Sequence, residues 1–162
     1  MAGILIVDDD PTIRTMFARA LGGLGEVDQA SNGGEALRML GAKRYAIILL
    51  DLHMPVVDGF VVLHTLSNKP GLNKDTPIYV VTADTSDQAR IRALRRHAVF
   101  LLTKPVPIAT LTALVDSALK KAAQRAQAAR DAADVKEAGA VPPVKDAPAS
   151  PHPPGVAKKP SA

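Results

Sequence analysis

The sequence predicts an α/β fold, a doubly wound parallel sheet of five strands with helices on both faces. Three observations point there. Four apolar runs have strand length: Ile4-Leu5-Ile6-Val7, Tyr45-Ala46-Ile47-Ile48-Leu49-Leu50, Ile78-Tyr79-Val80-Val81 and Val99-Phe100-Leu101-Leu102. Continuous apolar runs of this kind are buried on both faces, as strands of a helix-covered parallel sheet are. Helix-like segments alternate with the strands, giving five βα units that wind with one hand. Each run also ends in residues able to do chemistry: Asp8-Asp9-Asp10, Asp51, Thr82 and Thr103-Lys104-Pro105. The ligand sites of open α/β sheets lie at that edge.

Taken in order, Ile4–Val7 is the first strand. From Thr12 to Leu21 the apolar residues Ile13, Met16, Phe17, Ala20 and Leu21 form a helical stripe, with Pro11 in the first turn and Gly22-Gly23 after the last. Glu26–Ala30 is short and polar, which suits an edge strand. Asn32-Gly33-Gly34 turns the chain into a helix carrying Ala36, Leu37 and Leu40 on one face. Ala46–Leu50 is the central strand, and Gly59–Leu66 the next helix. A loop containing Pro70-Gly71 leads to the strand Ile78–Val81. Ser86 is a suitable N-cap for a helix reaching about His97, and Val99–Leu102 is the last strand. The final helix begins near Pro107 with Ile108, Leu111, Leu114, Val115, Ala118 and Leu119 on its apolar face. Helix-forming residues continue to about Glu137, but past Lys120 the apolar positions are Ala and one Val, so that stretch buries little. From Gly139 the chain is rich in Pro, Ala and Lys and cannot offset its ordering entropy, so residues 139–162 are expected to be disordered with polyproline character. The divisions expected are a folded domain at 1–122, a helical extension at 123–138 and this tail. The flavodoxin-like strand order 2-1-3-4-5 brings strands 1 and 3, hence Asp8, Asp9 and Asp51, to the switch point.

Composition narrows the chemistry. Aromatics make up 3% of the 162 residues, so Val, Ile, Leu and Ala must build the core. Without Cys there is no disulfide, thiolate metal site or cysteine nucleophile. The apolar runs are too short to cross a membrane, and no basic leader precedes the first strand, so a cytoplasmic protein is expected. Residues 1–119 hold 12 Lys+Arg and 12 Asp+Glu, so the net charge of +4 belongs to the remainder. The basic balance is therefore no argument that the folded part binds nucleic acid.

The pieces Ile4-Leu5-Ile6-Val7-Asp8-Asp9-Asp10, Asp51-Leu52-His53-Met54-Pro55-Val56-Val57-Asp58-Gly59, Val80-Val81-Thr82-Ala83 and Thr103-Lys104-Pro105 together resemble the receiver domain of two-component response regulators. The resemblance runs from residue 3 to about 122. It implies that Asp51 is the phosphoacceptor and forms an acyl phosphate. It implies a Mg2+ ion held by Asp8, Asp9, Asp51 and the backbone carbonyl of His53. By the same resemblance Thr82 donates its hydroxyl to one phosphoryl oxygen, Lys104 pairs with another, and the bond to Pro105 is cis. The donor would be a histidine kinase or phosphotransfer protein, with an unidentified protein downstream and acyl-phosphate hydrolysis as the only turnover. The physics agrees: in-line transfer to a weak carboxylate nucleophile needs alignment and positive charge on the phosphoryl oxygens. Mg2+ takes oxygen ligands and keeps several waters, so two or three carboxylates suffice.

Other residues near these have plainer roles. Asp10 before Pro11 reads as an N-cap, and Asp58-Gly59 as the turn into a helix. The His53 ring sits beside the site, where it could tune phosphoryl lifetime. Arg90, Arg92, Arg95 and Arg96 form either a solvated face or a contact surface, since the family's partners commonly meet that helix. One departure stands out. The family often has Tyr or Phe three residues before the lysine, and its rotation reports phosphorylation; Leu101 is there instead. Phe100 faces the other side of the strand and cannot simply replace it. A second reading is therefore an interaction module independent of phosphorylation, and a third is a nucleic-acid adaptor acting through the tail. A phosphohydrolase of the haloacid dehalogenase class would want an Asp two residues after the nucleophile, where this chain has His53.

Overall fold

A computed structural model describes residues 3–95 and 98–139. The expected tail and Arg96 lie outside these residues, apart from Gly139. The elements are β1 (Gly3–Val7), α1 (Pro11–Leu21), β2 (Glu26–Ala30), α2 (Gly33–Ala42), β3 (Ile47–Leu50), α3 (Gly59–Asn68), β4 (Ile78–Thr82), α4 (Asp87–Leu94), β5 (Ala98–Thr103) and α5 (Ile108–Ala138). Every predicted strand and helix is present, with ends moved by three residues or fewer, the largest shift being α4, which stops at Leu94. The five strands form one parallel sheet in the order β2-β1-β3-β4-β5.

The core has two layers, one on each face of the sheet, because alternate residues of a buried strand point to opposite sides. Leu5, Val7, Ile48, Leu50, Ile78 and Val80 pack with Ala36, Leu40, Val62, Leu63, Ala89 and Ala93 of α2, α3 and α4. Ile4, Ile6, Ile47, Leu49, Tyr79 and Val81 pack with Phe17 and Leu21 of α1 and with Leu111, Val115, Ala118 and Leu119 of α5. Met16, counted in the α1 stripe, is instead exposed, and lines a groove with Pro11, Thr12, Thr15, Arg19, Ala20 and Ile108.

The helix starts follow local chemistry. Asp10 caps α1 by accepting from the Thr12 and Ile13 backbone N–H groups. Asn32 caps α2 through Glu35 N–H, while the Glu35 carboxylate reaches back to Ser31 N–H and Oγ at 2.7 and 2.8 Å. Asp58 caps α3 through Val61 N–H, and Ser86 caps α4 through Ala89 N–H. Away from the acid edge, buried Asn73 accepts from Tyr45 N–H and donates to the carbonyls of Leu40 and Lys43, fixing the loop before β4 against the start of β3. The chain divides into two units between Ala128 and Ala129. In the second, residues 129–138 are helical and exposed.

Candidate functional site: the acid rim of the sheet

β1 and β3 are neighbours and end together, so Val7 pairs with Leu50 and the next residues, Asp8 and Asp51, emerge side by side. Both are buried, whereas Asp9 is exposed. Carboxylate oxygens of Asp8, Asp9 and Asp51 lie within 4.8 Å of one another, an oxygen-only cluster of the kind a hard divalent cation takes. Lys104 reaches in from the end of β5, with Nζ 2.6 Å from Asp8 Oδ2 and 3.2 Å from Asp51 Oδ2. Its backbone N–H donates to the Thr82 carbonyl at 2.9 Å, and the Lys104–Pro105 bond is cis. Thr82 ends β4 fully buried, its hydroxyl oxygen accepting from Asp84 N–H at 3.2 Å. All the sequence-predicted side chains thus meet at one edge.

One ammonium serves two carboxylates, and the electrostatics follow. Burial raises the Asp51 pKa above the ordinary carboxylate value; the Asp8 charge pushes the same way, and the Lys104 charge opposes both. Burial works against the Lys104 charge, but its hydrogen bond to Asp8 and the Asp51 charge outweigh that and raise its pKa.

The loop after β3 is tightly set. Gly59 N–H donates to the Leu52 carbonyl, and a Cβ on Gly59 would run into the Asp51 carbonyl. Val57 accepts from Gly33 N–H at 3.0 Å, an approach that a side chain at Gly33 would block, its Cβ falling 2.5 Å from the Val57 oxygen. Between these anchors Val57 N–H bonds to the Pro55 carbonyl across Val56, which has φ 70° and a fully exposed side chain. That is a γ-turn of the strained hand.

Two residues that the sequence reading did not assign to the site belong to its rim. Arg14 donates to the Asp8 carbonyl at 2.7 Å. Asp84 Oδ2 lies 2.8 Å from His53 Nε2, so the two loops are joined across the rim. Ser86 N–H, with help from His53, holds the Asp84 carboxyl down to about 2. The position of Asp84, two residues past a strand end on this edge, was the available signal; Arg14 offered none. Phe100 packs edge-on against Tyr79 at 5.1 Å, in the layer of α1 and α5, while Leu101 packs into the other layer. Arg90, Arg92 and Arg95 are exposed, Arg92 with its guanidinium 4.1 Å from the centre of the Phe60 ring.

Comparison with known proteins decides the family. The family model of the response regulator receiver domain matches residues 4–116. The chain belongs to that family. The receiver is 36% identical over 119 residues to the transcriptional regulatory protein PrrA of Mycobacterium tuberculosis, covering 73% of this chain and 50% of PrrA. It thus spans about half the length of the first curated relatives it matches. Among solved structures, the chemotaxis protein CheY4 of Vibrio cholerae is 33% identical with a TM-score of 0.66, covering 74% of this chain and 99% of that one. A Burkholderia pseudomallei response regulator, solved with a phosphorylated aspartic acid and a calcium ion, is 30% identical with a TM-score of 0.64, covering 80% of this receiver and 73% of that chain. No helix among the described residues is long and apolar enough to cross a membrane.

Proposed function

We infer that this receiver takes a phosphoryl group on Asp51 and signals through protein contacts. The observation that carries it is the company Asp51 keeps: Lys104 at 3.2 Å on one side and two further carboxylates within 4.8 Å, at the end of a central strand. An Asp51 carboxylate oxygen forms the new bond to phosphorus as the bond from phosphorus to the donor's nitrogen breaks, and that nitrogen keeps the electron pair. Lys104 Nζ pairs with one phosphoryl oxygen and the Thr82 hydroxyl, turning from Asp84, donates to another. Asp8, Asp9, Asp51 and the His53 carbonyl would hold Mg2+; the all-oxygen donor set fits it. When bound, the ion neutralises charge on the transferring group. Donors of the matching chemistry are a histidine kinase or a phosphotransfer protein. The protein acts as an acceptor and messenger in the cytoplasm rather than as a turnover enzyme. Its receiver unit is residues 1–122, followed by the helical extension and tail.

Acetyl phosphate with Mg2+ should add one phosphoryl group to the intact mass. Asp51→Asn and excess chelator should each abolish the gain. An adduct that persists in Asp51→Asn would move the acceptor elsewhere.

A further inference from the structure

The usual place for an aromatic reporter is filled by Leu101, and the ring beside it is committed to Tyr79 on the other face. The acid rim is nevertheless tied to α4 by side chains. We propose that His53, Asp84, Phe60 and Arg92 carry the state of Asp51 to α4, in place of an aromatic side chain on β5. The proposal rests on Asp51 being the phosphoryl acceptor.

Two arms meet at His53, whose backbone N–H lies 3.4 Å from Asp51 Oδ1. The first arm is polar. His53 Nε2 lies 2.8 Å from Asp84 Oδ2, Asp84 Oδ1 accepts from Ser86 N–H at 2.8 Å, and Ser86 Oγ caps α4 through Ala89 N–H. The Asp84 backbone N–H in turn donates to the Thr82 hydroxyl oxygen. The second arm is made of rings. The His53 imidazole meets the Phe60 ring edge-on, centroids 6.3 Å apart at 73°, and the Arg92 guanidinium lies 4.1 Å from the same ring centre. The N-cap of α4 and a residue in its last turn are thus both held by groups that converge two residues from Asp51.

Among the described side chains of α4, the buried ones are Ala89 and Ala93, and such small side chains bury little apolar area. Of the described contacts of α4, the polar and ring ones therefore weigh heavily. A dianionic group on Asp51 draws the Thr82 hydroxyl and the His53 backbone N–H toward itself. That takes the acceptor from Asp84 N–H and moves the imidazole, changing both arms together. The contacts join the two ends without a gap, and whether α4 responds when Asp51 changes is what the measurement reads.

The test is 1H–15N NMR of the full chain with Mg2+ and acetyl phosphate, with intact mass followed in parallel. In the wild-type protein the α4 amides, including Ala89 and Ala93, should shift as the adduct forms. Arg92→Gln, a surface change, should accept the phosphoryl group at an unchanged rate, and the site amides of Asp51 and His53 should still shift. The α4 shifts should fall by more than half. Phe60→Leu, which keeps the core filled but removes the ring, should do the same. Full-sized α4 shifts in Arg92→Gln overturn the proposal, as does a wild-type adduct that leaves α4 unmoved. If no adduct forms on wild-type protein, the acceptor role of Asp51 itself falls, a result that the mass alone identifies.

Discussion

Asp51 carries its charge at a cost in the metal-free protein. Burial and the Asp8 carboxylate both raise its pKa, and Lys104, already 2.6 Å from Asp8, offsets them only in part. A carboxyl whose folded pKa lies above its unfolded one loses stability to ionisation at neutral pH, so removing the charge should stabilise the fold. Asp51→Asn should therefore melt higher than wild type in chelator at pH 7 and gain less from Mg2+, since a ligand bound only by the folded state stabilises by mass action. Equal Mg2+ gains in the two proteins would take Asp51 out of the cation site. Val56 poses a different residue-scale problem. A β-branched residue at φ 70° has its Cβ crowded by backbone, at roughly 1–2 kcal/mol, and the exposed side chain recovers nothing by packing. Asn tolerates that region, so Val56→Asn should raise the melting temperature by about 4 °C for each kcal/mol relieved, as expected for a domain of this size. An unchanged or lower melting temperature would mean that the side chain makes a stabilising contact.

At the level of elements, α2 shows how a cap ties stability to pH. The Glu35 carboxylate accepts from Ser31 N–H and Oγ, and these bonds, the backbone one foremost, lower its pKa from the ordinary 4.5. A depressed carboxyl contributes stability that is complete above its unfolded pKa and lost as pH falls through its folded pKa. Glu35→Ala should thus cost about 1 kcal/mol at pH 7, the net worth of a hydrogen bond. The melting gap to wild type should close as pH drops below 4.5. A gap that does not narrow as pH falls would assign the effect to packing instead. The elements themselves were legible because four of the five parallel strands are continuous apolar runs, and because Asp10, Asn32, Asp58 and Ser86 are capping residues placed before helical stripes. The acid site was legible for a related reason: Asp8, Asp51, Thr82 and Lys104 each follow or end such a run, and parallel strands bring like ends together. What stayed hidden depends on the packing of distant segments. Nothing local announces that Asn73 will bind Tyr45 and Leu40, that Arg14 will hold the Asp8 carbonyl, or that Arg92 will cover Phe60. Met16 fits the helical period of α1 but lies in a groove rather than under another element. Val56 contradicts local preference outright, because the loop is fixed from outside by Gly33 and Gly59.

For the molecule as a whole, the question is how much of the chain the folded receiver needs. The last buried side chain among the described residues is Leu119, and from Lys120 to Gly139 only Ala122 is even partly covered. Ala123 is the residue whose N–H closes the helical bond to the Leu119 carbonyl, so a chain ending there keeps the last packed turn intact. A solvated Ala-, Lys- and Arg-rich helix beyond it adds little, since most helical stability in proteins comes from packing an apolar face. Truncation after Ala123 should leave the melting temperature and the rate of Asp51 phosphorylation by acetyl phosphate unchanged. A melting temperature lower by about 4 °C would signal a loss of about 1 kcal/mol and a segment docked on the receiver. If both measurements hold while binding of a partner is lost, the extension and tail form an interaction element. The excess of basic residues after residue 119 would then make that binding fall as salt is raised, because screening weakens exposed charges within about a Debye length. Binding indifferent to salt would point instead to the apolar side chains among residues 124–162, the exposed Val135 included.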